Sequence, residues 1–205
     1  MMPPPLVYVV DDDAAVRDSL SLLLESAGFR AAAFESAEAF LREYRDATPG
    51  CLVLDVHMPE VSGLQLQAEL GRRSMQLPIV FLTGHGDVPT TVRAIKAGAV
   101  DFLTKPVEGK LLVERVQHAV ELSETAHRRE ARLQSLTQRE REILKLAVAG
   151  QPNKQIAREL GISYRTVEVH RSRILSKTGA GTLLELAHLV AAVQREGFRR
   201  AGEDG

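Results

Sequence analysis

Five short apolar runs, separated by stretches with helical spacing, dominate the first 121 residues and limit what this chain can fold into. LVYVV (6–10), CLVLD (51–55), PIVFLT (78–83) and VDFLT (100–104) have strand length and β-branched content. FRAAAF (29–34) is a weaker fifth, because alanine carries little strand preference. Helical patterns fill the gaps at 14–27, 36–45, 63–72, 88–97 and 107–121, with Gly28 and Gly98 as stops. Strands that alternate with single helices favour a parallel sheet covered on both faces. The expectation is an α/β doubly wound, five-stranded parallel sheet in the flavodoxin-like order 2-1-3-4-5.

The rest of the chain has no strand pattern. TQRE (137–140) is a capping box that opens a helix stopped by Gly150, and further helices are expected at 153–160, 164–177 and 182–195. The middle pair, joined by GIS, has helix-turn-helix dimensions. Residues 122–136 are charge-rich without Pro or Gly, so a linker with helical character is expected. The organisation reads as a first domain over 1–122, a linker over 123–136 and an all-α, four-helix helix-turn-helix domain over 137–205.

Charge divides along the same line. Residues 1–124 hold 18 Asp/Glu against 11 Lys/Arg, a balance of −7, while residues 125–205 hold 9 against 15, a balance of +6. A basic module carried by an acidic one points to a polyanion as partner of the second. MMPPPLVYVVDDD has no basic residue before its apolar stretch, and no apolar run reaches the roughly 18 residues of a membrane span. The single cysteine, Cys51, lies among apolar neighbours and has no partner for a disulfide. Together these predict a cytoplasmic protein without membrane attachment.

Asp11, Asp12 and Asp13 follow the first strand and Asp55 ends the third. In a doubly wound sheet both places lie at the carboxyl edge, beside the change in strand order where ligands bind. Two carboxylates about 4 Å apart repel by roughly 4 kcal/mol at an effective dielectric near 20, so the group needs a raised pKa or a cation. An all-oxygen donor set favours Mg²⁺. Thr83 ends the fourth strand and Lys105 follows the fifth. A hydroxyl, an ammonium, a divalent cation and a carboxylate nucleophile are the parts required to receive a phosphoryl group. Taken singly, an Asp pair after a strand is as often a solvated first helical turn, and a lone Lys-Pro says little. Four such residues, each placed just past a different strand, make coincidence a poor explanation.

VVDDD, LDVHMPEVSG, LTGHGDV and AGAVDFLTKP resemble the receiver domain of two-component response regulators over about residues 6–122. The resemblance implies that Asp55 is the phosphoacceptor. It also implies that Asp12, Asp55 and the backbone carbonyl of His57 hold Mg²⁺, with Asp11 reaching the ion through water. Thr83 and Lys105 would stabilise the phosphoryl group, Phe102 would be the aromatic switch, and the Lys105–Pro106 bond is expected to be cis. His57 and His85 lie two residues beyond Asp55 and Thr83, where their side chains either tune dephosphorylation or stand as solvated histidines.

LTQREREILKLAVAGQPNKQIARELGISYRTVEVHRSRILSKTGA resembles the LuxR/NarL-type DNA-binding domain over about 136–197, and the whole chain resembles the FixJ subfamily of response regulators. By position, Glu168, Val169 and Ser172 would face the major groove, with Lys154, Arg165, Thr166, His170, Arg171, Arg173 and Lys177 around them. Glu168 either reads cytosine N4 or faces away. A solvated basic face on a small bundle is the plainer reading of the same residues. The apolar surplus of the last helix implies a dimer contact. The implied protein is a phosphorylation-activated transcription factor that takes its phosphoryl group from a sensor histidine kinase and forms a homodimer when phosphorylated. It would bind double-stranded promoter DNA, engage RNA polymerase and have no enzymatic activity beyond self-phosphorylation and slow autodephosphorylation. Two alternatives compete. An aspartyl phosphatase would share the chemistry, but DVH lacks a second acid two residues after Asp55. A phosphate-independent dimer module would leave the pocket unused.

Overall fold

A computed structural model of the chain describes residues 4–45, 48–73, 75, 77–84 and 87–198, with side chains as far as residue 193. Contacts divide it into two compact units, one ending at Thr125 and the other spanning Ala126–Phe198.

The first unit alternates strand and helix: β1 (Leu6–Val10), α1 (Ala14–Ser26), β2 (Arg30–Phe34), α2 (Ala37–Glu43), β3 (Gly50–Asp55), α3 (Gly63–Arg72), β4 (Ile79–Thr83), α4 (Val88–Lys96), β5 (Asp101–Thr104) and α5 (Gly109–Gln134). All four strand pairings are parallel, in the order β2-β1-β3-β4-β5, as expected. The alanine-rich β2 forms at the edge, where it pairs with β1 alone.

Strand alternation sorts the sheet's side chains into two cores. Tyr8, Val10, Leu52, Leu54 and Phe81 pack on one face with Phe40, Leu66 and Ala94, while Val7, Val9, Cys51, Val53 and Val80 pack on the other with Leu24, Leu112 and Val116. β3 is buried along its whole length because it is central and covered on both sides. Cys51 lies in that strand, and burial pushes its thiol up to about 12.

α5 runs 13 residues beyond the 121 at which helical spacing suggested it would stop. Residues 122–134 contain no breaker, and exposed pairs four apart, Gln117 with Glu121 and Gln134 with Glu130, keep the helical register.

The second unit comprises the C-terminal part of α5 with α6 (Gln138–Val148), α7 (Asn153–Glu159), α8 (Tyr164–Thr178) and α9 (Leu183–Phe198), around a core that includes Leu136, Ile143, Ile156, Val167, Ile174 and Leu186. Thr137 and Glu140 form the capping box that the sequence predicts. Gly161 (φ 65°) and Gly179 (φ 70°) adopt the left-handed backbone that ends α7 and α8.

Glu140 is buried, which pushes its carboxyl up. The Lys177 ammonium at 2.7 Å and bonds from Thr137 outweigh that and hold it at about 2. A carboxyl that titrates near 4.5 when unfolded and near 2 when folded stabilises the native state fully above pH 4.5. That contribution is lost as pH falls from 4.5 through 2. Glu140→Gln is expected to cost the second unit about 2 kcal/mol at pH 7, discounted for the solvent that reaches Lys177. Urea titrations followed by circular dichroism should show parent and variant converging below pH 2.

Candidate functional site

Parallel pairing places the carboxyl ends of β1, β3, β4 and β5 side by side, in register Asp55↔Leu82 and Thr83↔Thr104. Asp11 follows β1 and is 1% exposed; Asp55 closes β3 at 6%. Their carboxylates and that of the exposed Asp12 offer oxygens that lie within 4.8 Å of one another. Asp13 is turned to a different task, since its Oδ1 accepts from the Ala15 N–H at 2.8 Å and caps α1. Lys105 Nζ is 2.6 Å from Asp11 Oδ2 and 3.6 Å from Asp55 Oδ2. Its backbone N–H donates to the Thr83 carbonyl at 2.7 Å, and the Lys105–Pro106 peptide is cis. An open cavity of about 360 Å³ is lined by Asp55, His57, Gly84 and Lys105.

Burial pushes the Asp55 carboxyl above the usual range. Lys105 pulls it down, Asp11 pushes it up, and the backbone N–H groups of His57 and Val56 pull it down in smaller measure. Among the described residues its Oδ1, although buried, makes no hydrogen bond. Three clustered carboxylates, two of them within reach of one ammonium and one with an oxygen unpartnered among the described residues, form an all-oxygen donor set suited to a hard divalent cation.

Thr83 is fully buried at the end of β4, and its Oγ1 lies 3.1 Å from His57 Nδ1. Phe102, half-buried on β5, packs at 5.9 Å between ring centroids against Phe81. His85 lies outside the described residues.

Three positioning residues have only faint sequence signals. Arg17, four residues past the α1 cap, donates from Nη1 to the Asp11 carbonyl at 2.7 Å and steadies the acidic loop. Asp87 caps α4 by accepting from the Thr90 N–H at 2.6 Å. Gly63 starts α3 where a Cβ would overlap the Asp55 carbonyl oxygen, so the helix can approach the end of β3 only with glycine there.

In the second unit, Ser163 caps α8 by accepting from the Thr166 N–H at 3.0 Å. Val167, Ile174 and Thr178 turn inward, so Arg165, Glu168, Val169, Ser172 and Arg173 emerge exposed on the opposite side. Lys154 on α7 is exposed as well. Thr166, His170 and Arg171 are half-buried. Arg171 donates to Asn153 Oδ1, and Lys177 is committed to Glu140. The exposed Tyr164 at the start of α8 escaped sequence reading, because an aromatic there resembles a core residue.

The profile of the response regulator receiver domain matches residues 7–117, and that of the bacterial regulatory proteins of the luxR family matches residues 134–190. The chain belongs to the FixJ-type response regulators. The transcriptional regulatory protein FixJ of Bradyrhizobium diazoefficiens is 45% identical over 190 residues, covering 89% of this chain and 93% of that one. The transcriptional regulatory protein TdiR of Thauera aromatica is 48% identical over 191 residues, covering 90% and 84%. Among solved structures, the response regulator StyR matches at 46% identity with a TM-score of 0.59, covering 92% and 99%. Full-length FixJ from B. japonicum matches at 41% with a TM-score of 0.57, covering 95% and 99%. This FixJ-type regulator therefore joins a receiver domain to a LuxR-type DNA-binding domain and is a transcriptional regulator. Among the described residues, no helix is long and apolar enough to cross a membrane.

The Gly63 contact is testable. Gly63→Ala should lower the urea stability of the first unit by about 1–3 kcal/mol through overpacking. Gly71→Ala, in the same helix with nothing near its added methyl, should be neutral or stabilising.

Proposed function

We propose that the chain is a phosphorylation-activated transcription factor with Asp55 as phosphoacceptor. The observation that carries this reading is the convergence of Asp55, Asp11, Asp12, Lys105 and Thr83 at one sheet edge. A carboxylate oxygen of Asp55 attacks phosphorus on the phosphohistidine of a sensor histidine kinase. The P–O bond forms as the P–N bond breaks, and the donor imidazole keeps the electron pair and takes up a proton. Asp12, Asp55 and the His57 carbonyl would hold Mg²⁺, with Asp11 acting through water; the bound ion would neutralise charge on the phosphoryl oxygens. Lys105 places its ammonium against the same oxygens, and the Thr83 hydroxyl donates to one of them.

As Thr83 moves, Phe102 turns into the space it leaves and alters the α4–β5 surface. Val88, Val92 and Ile95 already stand exposed on α4, which suits a homodimer contact in the phosphorylated state. Near-complete switching requires the phosphoryl group to favour the active state by about 5 kcal/mol or more.

The exposed stripe on α8 enters the major groove of promoter DNA, with Arg165 and Arg173 on phosphates and Glu168, Val169 and Ser172 toward base edges. Lys154 reaches the backbone from α7, and Thr166, His170, Arg171 and Lys177 support the stripe from its margins. Two copies bind inverted half-sites together and position RNA polymerase. The protein works in the cytoplasm and turns over no substrate beyond its own phosphorylation and slow autodephosphorylation.

Treatment with acetyl phosphate and Mg²⁺ should add one labile phosphoryl group by mass spectrometry and strengthen footprints on promoter DNA. Asp55→Asn should abolish both changes. Absence of an adduct in the parent would overturn the reading, and footprints that ignore Asp55→Asn would favour a phosphate-independent dimer. Affinity should fall with log[salt] by about 0.9 log units per phosphate contact, a slope that Arg165→Ala and Arg173→Ala each reduce by about 1.

A further inference from the structure

The loop after β3 brings a second group to Thr83. The Gly63 N–H donates to the Val56 carbonyl at 3.0 Å and fixes the backbone beside Asp55. From that anchored stretch the His57 ring reaches across so that Nδ1 lies 3.1 Å from Thr83 Oγ1. Thr83 is fully buried at the end of an inner strand, so rotation of its side chain is the least costly way for the hydroxyl to change partner. His57 itself is exposed. The Asp87 carboxyl at the start of α4 is held below the usual range first by bonds from Thr90, then by the charge of Arg93. Farther along, the buried Gln67 of α3 donates from Nε2 to the Ala94 carbonyl of α4 at 3.1 Å. Gln67 thus pins one end of α4 to α3.

We propose that His57 is a resting-state latch on Thr83, a positioning residue that holds the hydroxyl on its imidazole and releases it only when a phosphoryl group on Asp55 competes for it. The proposal rests on Asp55 as phosphoacceptor. A threonine hydroxyl has one proton to give. In the Nε2–H tautomer of His57 that proton goes to Nδ1, so it cannot at the same time go to a phosphoryl oxygen. Activation therefore exchanges one hydrogen bond for another, and the resting bond sets how readily the active arrangement is visited before phosphorylation. The role belongs to the side chain. The His57 carbonyl assigned to Mg²⁺ is untouched by replacement of the imidazole.

The test is a double-mutant cycle on the full chain: parent, His57→Ala, Thr83→Ala and the double variant. Each is phosphorylated with acetyl phosphate and Mg²⁺, and the initial rate is read on phosphate-affinity gels with Asp55→Asn as blank. His57→Ala should raise the rate roughly 3- to 10-fold with Thr83 present, the range given by loss of one hydrogen bond, and leave it unchanged with Ala at position 83. A second readout is the Nδ1 ¹⁵N resonance of His57 in the unphosphorylated protein. It should move on Thr83→Ala, and also on phosphorylation of the parent. An equal rate change in both backgrounds, or none with Thr83 present, overturns the latch while leaving Asp55 as the acceptor. Absence of an adduct in the parent overturns both.

Discussion

Parallel pairing makes the direction of every strand the same, and with it the location of every strand end. No long-range contact has to be invented to gather Asp11, Asp55, Thr83 and Lys105. The register that aligns Val10 with Leu54, Asp55 with Leu82 and Thr83 with Thr104 already places them in a row. Rigidity comes from the same source, because β3 is buried from end to end between two apolar layers and its last residue inherits that immobility. A group presented in this way loses little conformational freedom when it reacts.

Electrostatics then decides what the row of residues can do. Asp55 is opposed by burial and by Asp11 and supported by Lys105, and the balance leaves its charged form disfavoured. Lys105 leans closer to Asp11 than to Asp55, and among the described residues the latter keeps an oxygen without a partner. A site in this condition gains from any added positive charge, and that gain is the physical basis for assigning it a divalent cation. The second unit resolves an analogous conflict internally: Glu140 is buried, yet Lys177 and the first turn of α6 satisfy it, leaving nothing for a ligand to relieve.

Much of this was legible from residues alone where periodicity is strong and the turn chemistry is local. Strands rich in Val, Ile and Leu, the capping box at Thr137 and Glu140, and the glycine stops all translate directly into local structure. The acidic edge was legible because strand ends are countable. The rest depends on tertiary context. β2 consists largely of alanine and becomes a strand only because β1 offers it an edge. α5 continues unbroken through residue 134, so the segment read as a separate linker of helical character is the same helix, a continuity that the change in charge content obscured. Asp13 looks like a third pocket acid but is consumed as a cap. Arg171 and Lys177 look like surface cations, and only the fold reveals Asn153 and Glu140 beside them. His57 meets Thr83 across two strands, a proximity no spacing rule announces.

Cys51 carries a further implication. Oxidants and electrophiles attack the thiolate, and a thiol raised to about 12 in the middle of β3 holds almost none of that form at neutral pH. The neighbouring strands also deny access to the sulfur, which is the chain's one cysteine. Nitrosating agents and disulfide exchange thus find no ready thiol in this chain for as long as the sheet stays closed.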